Sequence, residues 1–259
     1  MNEIQMLAVV VGYFAIFIMS VVMHEVSHGY VALMNGDPTA ARMGRLSLNP
    51  LVHIDPVMSI IFPLITLFTM GVMFGGAKPV PVNPHMLRNP VADSRKVSLA
   101  GVGTNFTIAA VLALLIHLVM RLGLTQVGTG FPIRIPVRGG LLEVPALHPV
   151  VIILGMGCVV NLFLGLFNLL PVPPLDGSQF LKTYLPAELR LMFDRIGFFG
   201  IIILIFLLQV PQVWEAVRLV LMFLFLKVFM LGAYDSQGYS FYEIVLVNFR
   251  SIMDKISPF

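Results

Sequence analysis

The chain has 259 residues, 58% of them hydrophobic and 11% charged, with a formal net charge of +3. That balance argues against an ordinary soluble domain, and the dispersed basic residues, never clustered with aromatics, argue against nucleic acid as a partner. A single cysteine, Cys158, excludes an intramolecular disulfide and a cysteine-built metal site.

A bilayer-spanning helix needs about 20 apolar residues. Six runs approach that requirement, at residues 6–34, 57–75, 97–121, 148–170, 196–210 and 213–233. The leader "MNEIQ" before the first run carries Glu3 and no Lys or Arg, and the run is too long for the apolar part of a secretory signal, so a retained helix is expected. Proline- and glycine-rich stretches at 75–90, 128–140 and 168–177 interrupt the helical pattern and read as extended or turning backbone. The expected fold is an all-α polytopic membrane protein with short extended segments near the active site. Residues 1–235 would form the membrane domain, and residues 236–259 a cytoplasmic or interfacial tail.

Inside the first run lies "HEVSH", residues 24–28. His24 and His28 are one helical turn apart on one face, with Glu25 beside them. This is the H-E-x-x-H arrangement, in which two imidazoles bind one zinc ion and the glutamate acts as general base on metal-bound water. Ionisable groups cost about 2.5–3.5 kcal/mol each at the centre of a membrane helix, so three of them in five residues call for one shared explanation. The competing reading, an interfacial turn after Met23, conflicts with a helix pattern that continues through "VALM" to the stop signal "NGDP".

A catalytic zinc site needs a third protein ligand and an open fourth position. Asp176 in "NLLPVPPLDGSQF" is the best candidate: it follows a long apolar run, prolines break the helix before it, and Gly177 permits close backbone approach. Asp37 and Asp55 each precede a proline and read as turn residues.

Together, "HEVSH" and "NLLPVPPLDG" resemble the site-2 protease family of intramembrane zinc metalloproteases, and "GDPTAARMGRLSLNPLVHIDP" and "GGAKPVPVNP" resemble its compact prokaryotic branch without PDZ or CBS domains. The resemblance covers about residues 20–180. It implies that His24, His28 and Asp176 bind one Zn2+ per chain, that Glu25 is the catalytic base, and that Asn168 contacts substrate or a developing oxyanion. Where the family carries G-P-x-x-N, this chain reads "GVGTN", with Val102 in place of the proline and Gly101 and Asn105 kept. Asn105 is either a cap or packing residue or a member of the substrate-binding or oxyanion site.

Zinc ligation by both motifs imposes a parity constraint, because the chain between His28 and Asp176 must then cross the bilayer an even number of times. Three apolar runs lie between them. The run at 57–75, which contains Pro63 and is flanked by proline-rich sequence, is expected to dip in and return, leaving about five transmembrane helices. Arg42, Arg45, Lys78, Arg88, Arg95, Lys96, Lys182, Arg190, Arg195, Arg250 and Lys255 then fall on the zinc side, against mainly Arg121, Arg134 and Arg138 on the other. The excess directs the site toward the cytoplasm, in a prokaryotic inner membrane by the resemblance.

The remaining polar residues have simpler explanations. Asn161, seven residues before Asn168 with Gly157 and Gly165 nearby, reads as close helix packing with amide hydrogen bonds. His53, His85 and His148 read as solvated interfacial histidines. The expected activity is hydrolysis of peptide bonds within or near transmembrane segments of other membrane proteins, with the bilayer and that substrate as partners. A non-proteolytic zinc-binding transporter or scaffold is the alternative; it has no need of Glu25 between two ligands.

Overall fold

The computed structural model describes residues 3–70, 75–122, 133–137, 140–144, 148–197, 199–200, 206, 210–224, 245 and 247; a few of these, including 133–137 and 140–144, are described by backbone alone. The described chain is mostly helical. Its elements are α1 (Glu3–Met34), α2 (Thr39–Arg42), a π-helical turn (Pro56–Ile61) running into α3 (Phe62–Met70), α4 (Pro90–Arg121), strands β1 (Ile133–Val137) and β2 (Gly140–Val144), α5 (Pro149–Asn168), α6 (Asp176–Lys182), α7 (Ala187–Ile196) and α8 (Pro211–Phe223). The strands form an antiparallel hairpin pairing Ile133 with Val144 and Val137 with Gly140, within and just after a stretch expected to be extended.

Among the described residues, α1, α4 and α5 are long and apolar enough to cross a membrane, and they pack on one another. The fifth and sixth apolar runs lie partly outside the described residues. In α5, 78% of the most apolar window is buried, against 33% in α1 and α4, so α5 is the central helix. Tyr13, Phe17, Ile116, Ile152, Met156 and Leu162 fill the core between the three. Leu7, Val11, Leu114 and Leu118 point outward, an arrangement stable only where lipid replaces water. Small residues let the helices approach: a Cβ on Gly12 would lie 2.8 Å from Ile153, and one on Gly157 2.9 Å from Ile16. Val245, in the segment expected to be a tail, is buried against Gly155.

Helix direction follows from these pairings. Gly12 meets Ile153, Ile16 meets Gly157, and Ser20 meets Asn161, so α1 and α5 run parallel. His24 meets Asn105 and His28 meets Val97, so α4 runs antiparallel to both. Two long apolar helices running in opposite directions, α4 and α5, therefore separate His28 from Asp176.

The described residues of the segment at 57–75, which leave out 71–74, contain no third helix of spanning length. The Gly76 N–H donates to the Met58 carbonyl at 2.9 Å, and the Ser59 hydroxyl donates to the Gly76 carbonyl at 2.7 Å, so the chain returns to the level it left. Local chemistry starts the excursion: Asp55 accepts from the Val57 and Met58 N–H groups and caps the helix at Pro56. His53 is not solvated as expected. It is fully buried, with Nε2 2.8 Å from the Ser47 carbonyl, because the loop before the excursion folds over it.

An extended strap, residues 77–83, is then tied back onto α1 and its C-terminal loop. The Lys78 N–H donates to the His53 carbonyl. Arg45 donates to the Lys78 carbonyl at 2.7 Å, and the Asn83 N–H donates to Asp37 Oδ2 at 2.6 Å. Asp37 is fully buried and also accepts from the Thr39 N–H and hydroxyl. Burial opposes its charge, but the hydrogen bonds from Thr39 and Asn83 outweigh burial and hold its carboxyl below the ordinary 3.8.

Two tests follow from this architecture. With Cys158 replaced by Ala, Leu51→Cys and Lys78→Cys should react with an impermeant thiol reagent from one membrane face and Arg134→Cys from the other; labelling of the first two from opposite faces would remove the excursion. Asp37→Ala should lower thermal stability by about 1–3 kcal/mol at neutral pH. Because the folded pKa is depressed, the stabilisation is complete above the unfolded value and fades as pH falls through the folded one, so melting curves of wild type and variant should converge in acid.

Candidate metal centre

His24 and His28 lie in the last third of α1, one turn apart, with ring centroids 4.8 Å from each other. Asp176 opens α6, directly after the proline-rich turn that ends α5. A Cβ on Gly177 would lie 2.1 Å from the Leu169 carbonyl oxygen, so only glycine lets α6 fold back this tightly. The Arg95 guanidinium stacks 3.8 Å over the Tyr184 ring and donates to the Thr183 hydroxyl, which pins the far end of α6 to α4.

These placements bring three ligand atoms to one point. His24 Nε2 is 3.1 Å and His28 Nε2 3.3 Å from Asp176 Oδ2, and the two nitrogens are 3.2 Å apart. Tetrahedral zinc at its usual bond lengths separates ligand atoms by roughly 3.3 Å. Protonation agrees with that fit. The His28 Nδ1–H donates to the Val97 carbonyl at 2.6 Å, and the His24 Nδ1 lies 2.6 Å from Asn105 Oδ1. With the protons on Nδ1, both Nε2 atoms present lone pairs to the carboxylate. Asp176 Oδ2 is buried and receives no hydrogen bond from the described residues. Three electron-rich atoms facing one point call for a cation, and this donor set suits zinc.

The surrounding cavity, about 620 Å3, is lined by His24, Glu25, His28, Val80, Asn168 and Asp176 among others. Glu25 is partly exposed there, and its Oε2 accepts from the Val80 N–H at 2.9 Å, which ties it to the strap. Asn168 lies on the cavity wall, with its Nδ2 donating to the Leu164 carbonyl. Asn105 is elsewhere: fully buried behind the His24 ring, it bonds that ring on one side and Asn161 on the other. Gly101, one turn before Asn105, faces the same ring, and a Cβ there would lie 2.4 Å from His24 Cε1. Val102, in the position of the family proline, is buried within an unbroken helix.

Asn161 makes the amide hydrogen bonds expected of it, and through them both it and Ser20, which carried no expectation, belong to the network behind His24. The available signal was spacing, since Ser20 precedes His24 by one helical turn.

The model of peptidase family M50 matches residues 12–209 of this sequence. The chain belongs to peptidase family M50. It is thus a metalloprotease by family, in accord with its two motifs, and with its apolar helices an integral membrane protein. It is 33% identical over 194 residues to the Bacillus subtilis (strain 168) protein named "Putative zinc metalloprotease YwhC", covering 75% of this chain and 78% of that one. It is 28% identical over 195 residues to "Putative zinc metalloprotease Rip2" of Mycolicibacterium smegmatis (strain ATCC 700084 / mc(2)155), covering 75% of this chain and 65% of that one. No solved structure matches it.

Removal of the distant ligand tests the centre. Asp176→Ala in the purified, detergent-solubilised chain should lose bound zinc by elemental analysis while keeping its helical circular dichroism; retention of stoichiometric zinc would exclude Asp176 as a ligand.

Proposed function

We propose that this M50 protein uses one zinc ion per chain to hydrolyse peptide bonds within or near transmembrane segments of other membrane proteins. The observation that carries the reading is the convergence of His24 Nε2, His28 Nε2 and Asp176 Oδ2 beside a cavity that Glu25 also lines. Zinc held by these three would supply Lewis-acid chemistry, polarising the scissile carbonyl and acidifying a water.

The chain's own residues account for the rest. The Val80 N–H holds Glu25 by Oε2 and orients the carboxylate, whose Oε1 takes a proton from the attacking water and returns it to the leaving amine. Asn168, on the cavity wall, faces the substrate backbone. Helical substrate hides its peptide groups and has to unwind before it can reach Glu25.

The strap is the better edge for the unwound segment. Pro79 and Pro81 have no N–H, and the N–H groups of Lys78, Val80 and Asn83 bond inward to His53, Glu25 and Asp37. The Lys78 and Pro79 carbonyls are taken by Arg45, and among the described residues nothing donates to the carbonyls of Val80, Pro81 and Val82, which can accept from substrate N–H groups. Basic residues at the His28 end, including Arg45, Lys78, Arg88, Arg95 and Lys182, support opening toward the cytoplasm of a prokaryotic inner membrane. The transporter reading gains no support from a cavity with a carboxylate set beside the ligands and held by a backbone donor.

Glu25→Gln keeps the Val80 hydrogen bond through its amide oxygen but cannot take up a proton. Zinc content should be unchanged, and cleavage of a model transmembrane substrate in proteoliposomes should fall by at least about 10²-fold. Cleavage at the wild-type rate would refute the role.

A further inference from the structure

Behind His24 runs a line of hydrogen bonds with a fixed direction. It starts at a backbone carbonyl, which only accepts. The Ser20 hydroxyl donates its one proton to the Ile16 carbonyl at 2.7 Å, so its oxygen faces Asn161 as an acceptor. Asn161 Nδ2 fills that role at 2.8 Å and also donates to the Gly157 carbonyl at 2.8 Å. Two acceptors on one side fix the amide, so Asn161 Oδ1 must face Asn105, whose Nδ2 donates to it at 3.0 Å. Asn105 Oδ1 is then the atom that meets His24 Nδ1 at 2.6 Å, and that nitrogen has to carry the proton.

Reversing either amide would set oxygen against oxygen inside the bundle. Ser20 is 2% exposed, and Asn161 and Asn105 are 0% exposed, so no bulk water is at hand to repair the mismatch. The direction set on α1 and α5 is therefore imposed on the imidazole through α4, and the Nε2 lone pair points at Asp176.

We propose that Ser20 and Asn161 are positioning residues for the metal centre: through Asn105 they hold His24 in the one tautomer and ring orientation that can ligate. The proposal rests on the zinc reading above and adds a cause for the competence of one ligand. His28 needs no such line, because the Val97 backbone carbonyl fixes it directly. Among the described residues no backbone carbonyl meets His24 Nδ1, whose acceptor is supplied by Asn105 on α4 and held in place by Asn161 on α5.

Co2+ binding to the 259-residue chain in detergent provides the test, read by the intensity and position of the cobalt absorption bands and by competition with Zn2+. Asn161→Leu, which removes every bond the amide makes, should weaken Co2+ binding by about 10–100-fold and alter the bands. Ser20→Ala should weaken it less, and Ser20→Thr, which keeps the hydroxyl, should restore wild-type binding. Asn161→Asp has nearly the same shape but cannot donate to both Ser20 and Gly157, and should resemble Asn161→Leu. If Asn161→Leu does not fold, the Ser20→Ala and Ser20→Thr pair decides alone. Lower melting temperatures with wild-type affinity and bands would show a purely structural role and overturn the proposal. The two failures are distinguishable: a wild-type chain whose Co2+ binding is indifferent to Asp176→Ala defeats the zinc reading itself, whereas binding that needs Asp176 but ignores Ser20 and Asn161 defeats only the line behind His24.

Discussion

The meeting of Asp176 with two imidazoles on α1 is the constraint to which the rest of the fold answers. The three ligand atoms come from segments about 150 residues apart and lie 3.1–3.3 Å from one another, with no proton between them once both rings carry theirs on Nδ1. Such a cluster is repulsive in a low-dielectric interior and does not assemble for its own stability. The surrounding apolar packing has to hold it until a cation removes the repulsion. The helices do so by direction: α1 and α5 run parallel with α4 antiparallel to both, so the ends carrying His28 and Asp176 arrive on one side.

Close approach is the second requirement, and glycine meets it at two decisive places. Gly101 gives the His24 ring a flat wall, and Gly177 lets α6 fold under the end of α5. Any side chain at either position would displace a ligand by more than the tolerance of a metal site, which is a few tenths of an ångström. The glycines that bring α1 against α5 do the same for the bundle as a whole. In a membrane, where lipid is as apolar as the core, helix association relies on such packing and on buried hydrogen bonds.

How much of this could be read in advance follows from the range of each interaction. The grouping of His24 and His28 with Glu25 beside them was legible because helical spacing alone sets their relation. Asp176 was legible because a carboxylate after an apolar run has few other uses, and the return of residues 57–75 followed from parity once Asp176 was joined to His28. What was not legible depends on helix rotation. The face of α1 that meets Asn161, and the turn of α4 that sets Asn105 behind His24 instead of on the cavity wall, leave no trace in segments that are apolar nearly all round, because their hydrophobic pattern favours no face. His53 was misjudged for a related reason: proline-rich surroundings suggested an exposed loop, and the fold buries the ring under that loop.

The strap joins these themes. It is anchored by a buried carboxylate at one end, a buried guanidinium near the other and Glu25 between them, so Glu25, the proposed base, and the edge proposed to receive substrate form one mechanical unit. A peptide that pairs with the Val82 carbonyl would draw on the peptide plane whose N–H, that of Asn83, holds Asp37, whereas the N–H that holds Glu25 shares its plane with the Pro79 carbonyl, which Arg45 already bonds. Polarisation along a peptide plane strengthens the donor when its carbonyl partner accepts a bond. Arg45 at the Pro79 carbonyl therefore tightens the grip on Oε2 of Glu25 whether or not the edge is occupied, and a peptide at Val82 would tighten the anchor at Asp37. A helical substrate, its N–H groups already committed, could not pair with that edge, so selection of extended over helical chain would rest on the strap's carbonyls while the orientation of Glu25 rests on Arg45.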